Sequence, residues 1–237
     1  PRALARQAQD AGRRPPTVIQ QGCLGLASAI EGDPSYIRPA GTAQTVEYHG
    51  PAVDSQAAPI DPGLLRQYDF EPAGLLGRLD QPATWQLNSV GNYIRYHTAS
   101  LMEAYRHRGS SEPIGAVILA CTHFPFYQDE IAASFGRLRN FRTPDGAEPY
   151  RHLLVESPAF IDPSDLMARQ LYEQLVRAGL LLESCEVSAL RVDEFYISVP
   201  NASLTGVQLQ EGGGFAYGYK YGRAPGKLDV EYVKRVP

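Results

Sequence analysis

A short apolar run near the middle of the chain constrains the fold more than any other segment. Residues Ile114–Ala120 are continuous and aliphatic, and the run ends directly at Cys121-Thr122-His123. A run of this length and composition predicts a β-strand buried on both faces, as in a parallel sheet. Open parallel sheets bind their ligands in the crevice at the carboxyl ends of the strands. The sequence therefore places a thiol, a hydroxyl and an imidazole where a site is expected.

The residue types at this turn are compatible with reactive chemistry and with a structural role. Cysteine reacts as the thiolate, and an adjacent imidazole is one of the few groups that can supply the thiolate near neutral pH. Cysteine is also among the most buried residue types, and a histidine in a loop often does no more than make hydrogen bonds. From the residues alone, both roles stay open for Cys121 and His123.

Two blocks of the chain resemble the aspartate/glutamate racemase superfamily, and glutamate racemase in particular. The block Val117–Phe126 is similar to the segment that holds the second catalytic cysteine of that family. The block Val18–Glu31 is similar to the family's strand, small-residue turn and short helix that ends in a glutamate. The two blocks occur in the family's order, and the resemblance covers roughly half of the chain.

This resemblance implies a cofactor-independent amino-acid racemase, with glutamate as the first expected substrate and aspartate as the second. Inversion of the α-carbon requires one group that removes a proton on one face and another that delivers a proton on the other. In the family two cysteines do this, since a thiol can serve as acid or base near physiological pH. The resemblance makes Cys121 one of them, with His123 assisting it. It places Glu31 near the substrate ammonium group or His123, and gives Thr122 a contact with the substrate carboxylate.

The family's partner cysteine has no counterpart by motif in this sequence. In the family it lies in an amino-terminal segment that opens with an Asp-Ser-Gly turn, and no such tripeptide occurs here. Cys23 lies in the Gln-Gly-Cys block, where family members often carry a non-catalytic cysteine, and Cys185 matches no motif. We therefore expect a fragment that lacks the first catalytic cysteine. The alternatives are a related isomerase or decarboxylase of the superfamily, and a non-catalytic racemase-like module for ligand binding or interaction.

Composition narrows the classes of partner. A net charge of −4 with mixed signs gives no basic field for nucleic acid. No apolar run approaches the ~18 residues that a membrane span needs. Three cysteines without regular spacing make no disulfide framework, which favours a reducing cytoplasm. Cys121-X-His123 is too sparse for a zinc site. The expected partner is a small amino acid, without metal or cofactor, and a homodimer is compatible with the sequence.

The chain is expected to divide into three parts. The fold class is α/β, with a racemase-like core of parallel sheet and αβα layers over 1–31 and 89–180, and a β-rich extension over 181–237. Between them, residues 32–88 form an insertion in which proline and glycine interrupt any long periodic pattern. Long loops of this kind are either functional or mobile. Four of its side chains are candidates to line a lid: Tyr48, His49, Tyr68 and Trp85.

Hydrophobic spacing and capping residues predict the regular elements. They indicate a helix over 2–12, a strand at Val18, a helix from Ser89 to Gly109, a helix that follows Pro125 and stops at Gly136, a strand over 151–155, a helix from Asp162 to Gly179, and a strand over 194–200. His97 is expected to be a hydrogen-bonded core residue of the 89–109 helix. The glycine- and tyrosine-rich run over 212–223 lacks the spacing of a phosphate loop and favours a β-hairpin or a docking segment.

Overall fold

The chain forms a mixed α/β arrangement with a small parallel sheet, which confirms the expected α/β class. The computed structural model describes residues 2–38, 46–109, 112–180, 197–200, 209 and 233–236. The chain divides into two compact units, Pro1–Glu173 and Gln174–Pro237. The candidate core and site residues discussed below belong to the first unit.

Six helices and six strands are assigned in the described residues. The helices are α1 (Arg2–Asp10), α2 (Leu26–Ile30), α3 (Leu65–Tyr68), α4 (Val90–His107), α5 (Gln128–Arg139) and α6 (Pro163–Arg177). The strands are β1 (Leu75–Leu76), β2 (Gln86–Leu87), β3 (Ile114–Ile118), β4 (Leu154–Ile161), β5 (Ile197–Pro200) and β6 (Val233–Val236). Short 3₁₀ turns lie at Pro62–Leu64, Pro72–Gly74, Pro82–Thr84, Phe124–Tyr127 and Arg151–Leu153.

The long helix α4 forms the centre of the first unit. The Ser89 hydroxyl accepts a hydrogen bond from the Asn92 backbone N–H, which confirms Ser89 as the N-cap. Helix α5 packs against α4, and a 2.7 Å hydrogen bond between the Thr98 and Ser134 hydroxyls joins them inside the core. Helix α4 ends before Gly109, as the sequence predicts, and this glycine adopts a left-handed φ of 65°.

Within the described residues, the parallel sheet consists of β3 and β4. Ile114 lies opposite Leu154, but Ala116 lies opposite Ala159, so β4 contains a bulge between these pairs. The predicted strand over 151–155 is therefore misplaced, because residues 151–153 form a 3₁₀ turn and pairing with β3 extends β4 to Ile161.

Three further expectations at the level of elements are wrong. Strand β3 is not buried on both faces: Ile118 is 48% exposed, because the described part of the sheet has only two strands. No strand forms at Val18, since the segment makes no ladder pairing with described residues. Helix α5 continues through Gly136 to Arg139, because a glycine inside a helix costs only about 1 kcal/mol.

The described part of the insertion packs against α4. The Asn92 side chain donates hydrogen bonds to the carbonyls of Glu71 and Gly74 and accepts one from the Glu71 backbone N–H. Tyr68, one of the four lid candidates, is 1% exposed, and the Tyr48 hydroxyl lies 3.2 Å from that of Tyr93. Tyr68 therefore belongs to the packed interior and does not line a lid. Tyr48 is half-buried, and its hydroxyl is held by the Leu87 carbonyl and the Tyr93 hydroxyl.

Helix α6 begins and ends where the sequence predicts. The Asp162 carboxylate accepts a hydrogen bond of 2.8 Å from the Ser164 backbone N–H, and Gly179 adopts a left-handed φ of 66°. None of the residues of α6 is buried.

In the second unit, β5 and β6 form an antiparallel pair. The predicted strand over 194–200 is confirmed at Ile197–Pro200. The first three residues of that prediction, 194–196, lie outside the described residues. Cys185 and the 212–223 run lie outside them as well. Within the described ranges, no helix is both long and apolar enough to cross a membrane.

Candidate functional site

Cys121 lies just beyond the carboxyl end of β3, as the sequence predicts. The Leu119 backbone N–H still donates to the Ile161 carbonyl of β4, after which the chain turns and the Cys121 N–H donates to the Leu119 carbonyl at 2.8 Å. A 3₁₀ turn follows, with Pro125 in its first positions, where the missing N–H of proline costs no hydrogen bond. The strand and the turn together hold the thiol at the edge of the parallel sheet.

Three of the four predicted site residues form a continuous chain of polar contacts. The Sγ of Cys121 lies 3.5 Å from Nδ1 of His123. The Nε2 of the same imidazole lies 3.0 Å from a carboxylate oxygen of Glu31. The His123 and Glu31 side chains are 31% and 45% exposed, so this Cys121–His123–Glu31 chain of contacts is partly open to solvent. A ligand could therefore approach it.

The contacts indicate the tautomer of the imidazole. A carboxylate only accepts hydrogen bonds, so Nε2 of His123 carries the proton that is donated to Glu31. In the neutral ring, Nδ1 is then the acceptor, and it faces the thiol of Cys121. This arrangement allows His123 to take the thiol proton, after which Glu31 stabilises the imidazolium cation.

The Glu31 carboxylate reaches this turn because of how α2 is anchored. Glu31 is the C-terminal cap residue of α2 and lies 90 positions before Cys121 in the sequence. Helix α2 packs against α4, and the His97 ring of α4 lies 3.0 Å from the Leu24 carbonyl in the loop that leads into α2. His97 is 4% exposed, which confirms it as a hydrogen-bonded core residue. Periodicity alone gives no sign that this residue supports the site.

Thr122 takes no part in the chain of contacts. It lies between Cys121 and His123 in the turn, and its side chain is exposed. A contact between this hydroxyl and a substrate carboxylate stays a prediction.

Cys23 lies close enough to Cys121 for their charges to interact. Burial, and to a smaller extent a negative charge on Cys121, raises the pKa of the Cys23 thiol to about 11. A thiol with this pKa remains protonated near neutral pH and does not act as a base. The electrostatics therefore agree with a non-catalytic Cys23. Sequence reasoning missed the proximity of the two thiols, for which the sequence offers no signal.

Within the described ranges, no group of three or more histidine, cysteine, aspartate or glutamate side chains is arranged to hold a metal ion.

Comparison of the chain with protein-family models, with curated proteins and with solved structures finds no match.

Proposed function

We propose that this chain carries one half of the active site of a cofactor-independent amino-acid racemase. The observation that carries the proposal is the Cys121–His123–Glu31 chain of contacts at the carboxyl end of a parallel strand. The three residues come from the two sequence blocks that resemble the racemase superfamily. A racemase-like αβα arrangement of the core is part of the same proposal.

In the proposed reaction, Cys121 exchanges a proton with the α-carbon of the amino acid. His123 takes the thiol proton, and the resulting thiolate of Cys121 removes the α-proton from one face of the substrate. A second acid/base on the opposite face returns a proton, which inverts the centre. When the other enantiomer is the substrate, the second group removes the α-proton and protonated Cys121 delivers a proton to the α-carbon. Glu31 holds the imidazole in the orientation that this transfer needs.

The substrate is proposed to be glutamate first and aspartate second. Thr122 is proposed to contact the α-carboxylate. A cytoplasmic location belongs to the same proposal, because a reactive free thiol persists best in a reducing compartment.

The test is exchange of the α-proton of L-glutamate and L-aspartate in deuterated water, followed by NMR. We expect this chain to catalyse exchange without inversion, since no second cysteine block matches the family. Replacement of the reactive thiol in Cys121→Ala should remove the exchange. Cys23→Ser is the matched control, because it also removes a thiol close to the site and should keep the rate.

Two results would contradict the proposal. If the Cys121→Ala variant exchanged as fast as the unchanged chain, Cys121 would have no part in the chemistry. If neither amino acid exchanged at all, the racemase assignment would fail, and binding of the same amino acids without exchange would support a racemase-like binding module instead.

A further inference from the structure

A second group of polar side chains surrounds an open pocket of about 540 Å³ in the first unit. None of its lining residues belongs to the Cys121 site. They come from α3 and its C-cap, from the end of α5 and from the segment that follows α5: Arg66, Asp69, Arg137, Asn140, Phe141 and Arg142. Three guanidinium groups therefore line the pocket, against one carboxylate.

The single carboxylate of the lining is already engaged by two arginines, of which Arg95 lies outside the pocket and Arg137 lines it. One oxygen of Asp69 lies 2.9 Å from Nη1 of Arg95 and 3.8 Å from Nη1 of Arg137. Arg95 also pairs with Glu71 at 2.6 Å. Because Asp69 is shared between two arginines, it does not neutralise the three cations of the lining.

Arg137 is the fixed cation of the pocket. Its Nη1 donates a hydrogen bond of 2.8 Å to the Gln67 carbonyl, which sets the orientation of the guanidinium. Its Nη2 is buried and has no hydrogen-bond partner among the described residues. Burial lowers the pKa of Arg137, and the neighbouring charge of Arg95 lowers it further. The protein thus holds a poorly solvated positive charge beside the pocket.

The other two arginines lie nearer to solvent. Arg142 pairs with Glu148 at 2.8 Å, but its side chain is 69% exposed, and Glu148 is also 3.4 Å from Arg151. Arg66 is exposed and makes no ion pair within the described part of the chain. Arg66 can therefore turn toward a ligand at little cost in free energy. Arg142 must first leave the Glu148 carboxylate, with which it forms an exposed ion pair of modest strength.

Cations are favoured near the C-termini of helices, and this effect explains Arg137 in the last turn of α5. Arg142, which lies beyond the helix, is held by its ion pair with Glu148. Neither interaction explains Arg66, nor the convergence of side chains from two helices and a loop on one pocket. The surplus positive charge is better explained by a ligand with a negative charge.

We propose that this pocket binds a phosphate group, free or as the phosphomonoester of a small molecule. Guanidinium groups match phosphate oxygens in bidentate geometry. The lining carries three positive charges and one negative charge, and the Glu148 carboxylate, which Arg142 shares with Arg151, adds a second negative charge beside it. A phosphomonoester, with a charge of about −1.5 to −2 at pH 7, is attracted by the net positive charge that remains. The volume lies in the range of small-molecule sites, and the Phe141 ring offers an apolar wall to the rest of such a ligand.

The test is a binding titration of the full chain, followed by calorimetry, with inorganic phosphate and with glycerol phosphate. Acetate at matched ionic strength is the control for general screening. The variants are Arg66→Gln and Arg142→Gln, which change exposed side chains. The matched control is Arg78→Gln, which removes the same charge from an exposed arginine that pairs with Asp80 outside the pocket.

We expect saturable phosphate binding that either pocket variant weakens about tenfold, the order expected for loss of one charge-assisted contact. Arg78→Gln should leave the affinity unchanged. Tighter binding of glycerol phosphate than of phosphate identifies a phosphomonoester as the ligand, and the reverse order identifies free phosphate.

Absence of saturable binding, equal binding of acetate, or equal weakening by Arg78→Gln would overturn the proposal. The readout is binding and not proton exchange, so the result is independent of the proposed racemase activity.

Discussion

At the scale of single residues, His97 is the side chain that joins the long helix to the candidate site. Its ring is 4% exposed, and because a carbonyl only accepts, Nε2 donates the hydrogen bond to Leu24. Burial lowers the pKa of His97 from its ordinary value of 6.5 to about 4, although the bond to Leu24 opposes this shift. The neutral ring is therefore the form that the fold needs.

This shift predicts a pH dependence of stability. Between pH 6.5 and about 4 the unfolded chain binds a proton at His97 that the folded chain does not bind. The stability that neutral His97 provides is complete above pH 6.5 and is lost as the pH falls to about 4. The loss is on the order of 3 kcal/mol. His97→Gln keeps an N–H donor but cannot titrate, so its free energy of unfolding should fall less across this window.

Urea unfolding of the two proteins at several pH values measures this difference. The titration of other histidines and of the carboxylates is common to both proteins and cancels in the comparison. Identical pH dependence of the two unfolding free energies would contradict the assignment of a depressed pKa to His97.

At the scale of elements, Gly25 determines how α2 enters the core. Its φ of 79° is left-handed, and an added Cβ would lie 2.6 Å from Cδ1 of Tyr36 and 2.9 Å from Cε1 of Tyr93. Gly109 also has a left-handed φ, of 65°, but no atom lies within 4 Å of its Cβ position. The two glycines therefore share the backbone requirement and differ in packing.

We expect Gly109→Ala to cost about 1 to 2 kcal/mol of unfolding free energy, from the backbone conformation alone. Gly25→Ala should cost a further 1 to 3 kcal/mol or so, because the tyrosine rings must move. The Gly25→Ala substitution should also slow exchange of the substrate α-proton, because a displaced α2 would move Glu31 away from His123. Urea unfolding of both variants gives the comparison, and equal losses would show that the rings yield without cost.

Elements fixed by local chemistry were predictable from the sequence, and elements fixed by pairing were not. The caps at Ser89 and Asp162 act within one turn of their own residue, so α4 and α6 begin where the sequence indicates. The start of β4 and the absence of a strand at Val18 depend on which distant segments pair. Likewise, the contact of Glu31 with His123 was expected from the resemblance, and no local pattern joins residues so far apart in sequence. The arginine pocket has no sequence signal for the same reason.

At the scale of the whole molecule, the large apolar side chains divide into a buried set and an exposed set. Within the described residues, the buried set runs from Leu26 to Leu154 and is concentrated on α4, on α5 and on the insertion that packs against α4. The exposed set includes Ile118, Phe126 and one side of α6, where Met167 and Leu171 are 63% and 60% exposed. The stability of the first unit should therefore depend on the contact between α4 and α5 and little on α6.

Two substitutions of the same residue type test this distribution. Leu138 of α5 is 0% exposed, so Leu138→Ala should lower the unfolding free energy by about 2 to 5 kcal/mol through lost burial and the cavity that remains. Leu171→Ala should change it by no more than about 0.5 kcal/mol, because the side chain is already largely in water and alanine favours a helix. Trp85, the only tryptophan of the chain, belongs to the first unit and reports urea unfolding by fluorescence. A loss for Leu171→Ala as large as that for Leu138→Ala would mean that the apolar side of α6 is buried in solution, and the core would then extend beyond α4 and α5.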